Sequence, residues 1–91
     1  MTGLQFRVAR LALRLSVVEL AKASSLGTST IKRIEMTDGK PSATAANVIR
    51  LRETLEGFGI EFIEAADGAP GIVVRLESSG IAKAGRTVGD D

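Results

Sequence analysis

Residues 16–35, SVVELAKASSLGTSTIKRIE, constrain the fold of this chain more than any other stretch. Ser16 and Glu19 form an S-x-x-E capping box, which places a helix start at Val17. Ser24-Ser25 breaks that helix, and Leu26 follows where one apolar side chain can plug the gap between two helices. Gly27 and Thr28 open a second helix, with Ile31 and Ile34 three apart on its inner face. Leu20, Ala21, Leu26, Ile31 and Ile34 are the expected buried positions, and Ala21 is small enough for two helices to cross at close range. The opposite face of the second helix carries Thr28, Ser29, Lys32 and Arg33. Short hydroxyls and cations on one exposed face suit phosphate oxygens and base edges.

The flanking sequence supplies two more helices and a hairpin. Thr2 and Gln5 form a T-x-x-Q capping box, so a first helix is expected from Gly3 to about Leu13. Leu4, Val8, Leu11 and Leu15 make its apolar stripe, and Arg7, Arg10 and Arg14 fall on another row, Arg7 and Arg14 as solvated charges. The second helix is expected over about Val17 to Ser24 and the third from Thr28 to about Met36. Thr37 to Pro41 is a loop with a D-G turn and a Pro stop. Ser42 is expected to cap a fourth helix, about Ala43 to Gly57, on which Val48, Leu51, Leu55 and Phe58 close the core. Ile60 to Ala65 and Gly71 to Leu76 alternate as two strands around Asp67-Gly68. Residues 77–91 lack periodicity and read as a flexible tail. The fold class is therefore mainly α: a four-helix domain over 1–59, a C-terminal β-hairpin over 60–76, and the tail.

An isolated hairpin is marginal in water, so this one is expected to pack on the fourth helix, pair with another hairpin, or both. Its second strand carries apolar residues on both faces, Val73 as well as Ile72 and Val74. Burial on two sides and free edges point to a homodimer, with the hairpin as the dimerisation element. The alternative is a hairpin folded onto its own chain.

Formal net charge is only +1, but its distribution is uneven. Residues 1–52 hold nine Lys and Arg against three acids; residues 53–91 hold three against eight. A basic first half is the electrostatic footprint of a nucleic-acid binder, or else a solvated surface whose charges segregate. The chain has no His and no Cys, which removes the usual general base, the commonest metal ligand and any disulfide. No Gly-rich phosphate loop ends in Lys-Ser/Thr, and Asp67-Gly68 lacks the ligand spacing of a calcium loop. Neither enzyme activity nor a metal or cofactor is expected. No apolar run is long enough to span a bilayer and no signal-peptide pattern opens the chain, so no membrane association and a cytoplasmic location are expected.

Arg10, the Leu20-Ala21 pair, Leu26, Ile31, Ile34 and Glu35 together resemble the helix-turn-helix of the phage repressor and Cro family, the xenobiotic-response-element (XRE) type of bacterial transcriptional regulator. The resemblance runs from about Thr2 to Phe58, and the later run GFGIEFIEAADGAPGIVVRL is similar to the tail of small regulators of this type. It implies that the third helix enters the major groove of double-stranded DNA with Thr28, Ser29, Lys32 and Arg33. Arg33 would suit a bidentate contact to guanine, and the Thr28 methyl a thymine methyl. Thr30 and Lys40 would meet the backbone, Ser16 would join them, and Arg10 would pair with Glu35 and steer a phosphate contact. The chain departs from the family pattern at Val17, where Gln is usual, at Ser25, where the turn usually holds Gly, and at Gly27, where a Ser cap is common. A left-handed Ser25 would cost about 1 kcal/mol. The resemblance implies a repressor or activator of a bacterial or mobile-element promoter. The alternative is an antitoxin or similar interaction module whose hairpin or tail masks a partner protein.

Overall fold

The computed structural model describes residues 1–75, so Leu76 of the expected second strand and the expected tail 77–91 lie outside the described residues. Four helices, α1 (Gly3–Ala12), α2 (Val17–Ser24), α3 (Thr28–Glu35) and α4 (Ala45–Gly57), precede an antiparallel hairpin of β1 (Ile60–Glu64) and β2 (Pro70–Val74). Both expected capping boxes form: Thr2 and Ser16 accept from the backbone N–H of Gln5 and Glu19, whose side chains reach back to the cap N–H groups. Helix α4 starts later than expected. Its N-cap is Thr44, whose Oγ1 accepts from Asn47 N–H, and not Ser42. Ser and Thr can both cap a helix; here Thr44 does so, and Ala43, ahead of the helix, packs against the core.

Two helices end on left-handed residues that are not glycine. Arg14 (φ 60°) follows α1, with Leu15 N–H donating to Arg10 O and Arg14 N–H to Leu11 O. Ser25 (φ 61°) follows α2, with Leu26 N–H donating to Ala21 O. These are Schellman-type ends, in which the reversed residue turns the chain and the next one returns an apolar side chain to the core. Leu15 is buried and Leu26 packs against the core accordingly. Ser25 therefore adopts the left-handed angle itself.

The core comprises Phe6, Ala9, Leu13, Leu15, Leu20, Ala21, Ile31, Ile34, Leu51, Leu55 and Ile60. The expected inner positions of α2 and α3 are among them; Val48 and Phe58 pack at its margin. Of the expected stripe of α1, Leu15 alone is among them. Val8 and Leu11 are 42% and 58% exposed, and Leu4 is half-buried. Helix α1 has a second apolar row, Phe6, Ala9 and Leu13, and that row enters the core. An aromatic ring buries more area than a valine, and Phe6 meets Phe62 of β1 with ring centroids 5.3 Å apart and tilted by 54°.

The hairpin pairs Ile60 with Val74, Phe62 with Ile72 and Ile63 with Gly71. Ile60, Phe62, Ile72 and Val74 face the helices and pack on the core. The other face carries Glu61, Ile63 and Val73, with Ile63 exposed and Arg75 paired to Glu61 at 2.7 Å. As expected, Asp67-Gly68 makes the turn: Asp67 Oδ1 accepts from Ala69 N–H and Gly68 takes a positive φ. Besides the Phe6–Phe62 contact, one polar side chain of α1 ties the two strands to the helix. The buried Gln5 amide donates to Ile63 O (3.1 Å) and Gly71 O (2.9 Å), one carbonyl on each strand, while its oxygen accepts from Thr2. The hairpin thus rests on α1 and α4 of its own chain. Among the described residues no helix is long and apolar enough to cross a membrane.

Candidate nucleic-acid interface

Helix α3 presents one face to the core and the opposite face outward. Ile31, Ile34 and Glu35 are buried. Thr28, Ser29, Lys32 and Arg33 are exposed, and none of their side chains makes a hydrogen bond or ion pair within the described residues. Thr30 is half-buried to one side. Gly27 caps the helix without a side-chain bond: its carbonyl accepts from the N–H groups of Thr30 and Ile31, and those of Thr28 and Ser29 receive no cap side chain. Such an end attracts anions.

Besides the core contacts of Ile31 and Ile34, this helix is held by one row of α1: Gly3, Arg7 and Arg10, spaced i, i+4, i+7. Gly3 lies so close to α3 that a Cβ there would collide with the carbonyl oxygens of Ile34 and Thr37. Its N–H donates to Gly39 O at 2.8 Å. Arg7 donates to Glu35 O, one of the last carbonyls of α3, at 2.6 Å, and to Asp38 Oδ1 at 2.7 Å. It is not the solvated charge that its sequence context suggests; a cation at a helix C-terminus also complements the helix dipole. Arg10 meets Glu35 through Nε (2.8 Å to Oε2) and Nη2 (2.9 Å to Oε1), and its Nη1 donates to Leu15 O at 3.0 Å. The two side chains are only 13% and 7% exposed. The Glu35 carboxylate, hydrogen-bonded to it, holds the Arg10 guanidinium above its ordinary pKa, against the opposing pull of burial.

The candidate contact residues thus divide. Thr28, Ser29, Lys32 and Arg33 form one outward face. Ser16 is exposed at the start of α2, its hydroxyl oxygen already accepting from Glu19 N–H. Lys40 is exposed in the loop after α3, beside Pro41 and Ala43. Arg10 stands apart: the expected pair with Glu35 is present, and it turns the guanidinium inward, behind α3. Sequence reasoning missed Gly3, Gln5 and Arg7 as the residues that fix the geometry. The i, i+4, i+7 spacing of Gly3, Arg7 and Arg10 was the available signal.

Charge pairing trims the basic half. Arg7, Arg10 and Arg52 are neutralised by Asp38, Glu35 and Glu56. Arg14, Lys22, Lys32, Arg33, Lys40 and Arg50 are unpaired within the described residues. No model of a known protein family matches the chain, and no curated protein sequence matches it.

Proposed function

We propose that this chain is a sequence-specific DNA-binding transcriptional regulator of the XRE, Cro-like type, reading the major groove of a bacterial or mobile-element promoter with α3 and acting in the cytoplasm. The observation that carries the reading is the outward face of α3: two hydroxyls and two cations with no internal partner, on a helix clamped from behind by Gly3, Arg7 and Arg10. A helix that reads bases must be held rigidly, because misplacement by a fraction of an ångström loses directional hydrogen bonds. In this reading Arg33 and Lys32 take base edges or phosphates, Thr28 and Ser29 meet the groove at the helix start, and Thr30, Ser16 and Lys40 touch the backbone. Arg10 acts through Glu35 by orienting α3.

Selection of duplexes from a random pool, followed by gel shift, tests the reading. Arg33→Ala should weaken the selected site by about 1–3 kcal/mol and relax preference at one base pair. Equal affinity and selectivity for Arg33→Ala would defeat the assignment.

The protein acts as a homodimer in this reading, since one such module covers only a few base pairs and two-fold pairing extends the site. The support is an apolar surface outside the core: Leu4 and Val8 of α1 beside Pro70, Gly71 and Ile72 of β2, with Leu11 continuing the row. Arg75 N–H donates to Gly59 O and Ala65 N–H to Ala69 O, so the peptide groups of Ile72 and Val74 point away from β1. Among the described residues no strand pairs with that edge, and such an edge is complementary to its own antiparallel copy, which generates a two-fold axis. A second copy is therefore the occupant that this surface fits.

A further inference from the structure

Met36 ends α3, and its backbone stays helical at φ −69° and ψ −26°, so the phase of the helix carries through to its side chain. It stands seven residues after Ser29 and three after Arg33, on the same outward row. It is 77% exposed, the most of the large apolar side chains among the described residues. A scattered exposed apolar residue is ordinary. Met36 differs in its position: it sits within a polar and cationic face, one turn beyond Lys32 and Arg33, while both isoleucines of the same helix are fully buried.

We propose that Met36 is a specificity-determining residue of this face, packing its thioether against the 5-methyl group of a thymine in the major groove; the inference rests on the DNA-binding reading above. The thymine methyl is the apolar feature by which the major groove distinguishes that base. An unbranched, polarisable side chain adapts to such a target. It carries no charge, so it adds nothing to phosphate attraction. Met36 lies about 10 Å along the helix axis from Ser29 at about 1.5 Å per residue, too far for the two to meet the same base.

The test uses the full chain and duplexes selected by it from a random pool, with each thymine replaced in turn by uracil, which lacks only the methyl. One position should weaken about fourfold for the wild type, the value of one buried methyl. Met36→Ala should lose a similar factor on the thymine duplex and show no preference between thymine and uracil at that position. Met36→Leu should keep the preference, and the salt dependence should be the same for all three. Thermal midpoints confirm that the exposed substitutions leave the fold intact. Indifference of the wild type to every uracil replacement, or an undiminished preference in Met36→Ala, overturns the inference while leaving DNA binding standing. Failure to select any duplex overturns the DNA-binding reading itself, and this inference with it.

Discussion

Alanine is ordinarily the better helix residue by about 1 kcal/mol, and at position 3 that order should reverse. The Cβ of Gly3→Ala would meet backbone oxygens of α3 and the loop after it, which have no free rotamer through which to escape. A loss of about 1–3 kcal/mol or more is expected, read as a lower denaturation midpoint; a gain would mean that α1 and α3 separate easily. Glu35→Ala should be costlier, up to about 3–5 kcal/mol, because it strands the Arg10 guanidinium with little access to water. Asp38→Ala, which removes an exposed partner of Arg7, should change stability by about 1 kcal/mol or less. Equal effects of these two substitutions would show that burial does not separate the pairs. Ser25→Gly should gain up to about 1 kcal/mol by relieving the left-handed angle. The Arg10 pair was legible through resemblance. The spacing puts Gly3 on the row of Arg7 and Arg10, but a glycine at a helix start is also acceptable for purely local reasons, so the row alone does not reveal a close approach to α3.

Each helix had its boundaries written in caps and breaks, and α1, α2 and α3 lie within a residue of where those signals put them. Helix α1 shows where such signals stop. Two apolar rows run along it, Leu4-Val8-Leu11 and Phe6-Ala9-Leu13, and periodicity alone cannot rank them. Contacts made far along the chain decide: Phe62 receives Phe6, and the strand carbonyls of Ile63 and Gly71 receive Gln5. The sequence shows Gln5 as half of a capping box, and the capping box forms; the acceptors of its amide donors lie on strands some sixty residues away, which no local pattern marks. Gln5→Ala should therefore act at two ends. It should cost about 1 kcal/mol through two lost, partly buried hydrogen bonds, and hydrogen exchange of the β1 and β2 amides should accelerate more than that of α2 and α3. Uniform acceleration would show that the hairpin has no separate attachment.

For the whole molecule, the unpaired cations carry the expectation that binding to any duplex weakens steeply with salt. The apolar row of α1 carries the expectation of self-association. Leu11→Glu, an exposed substitution, should leave the thermal midpoint of the monomer unchanged and convert a sedimenting dimer into a monomer with much weaker binding to its selected site. A wild type that sediments as a monomer at micromolar concentration and binds its site as one copy would remove the dimer. One face of the hairpin packs on the chain's own helices, one of the arrangements expected of it, and pairing with a second copy is compatible with that packing.

Helix α1 is a rod of ten residues with two occupied sides. One row grips α3, and a neighbouring row is where a second copy would rest. In such a dimer the two reading helices share one short, stiff connection, with no linker to absorb a change of phase. DNA turns by about 34° per base pair at roughly 10.5 base pairs per turn. One base pair inserted at the centre of a selected palindrome should accordingly leave only half-site affinity, while a full-turn insertion restores the rotational phase but not the span.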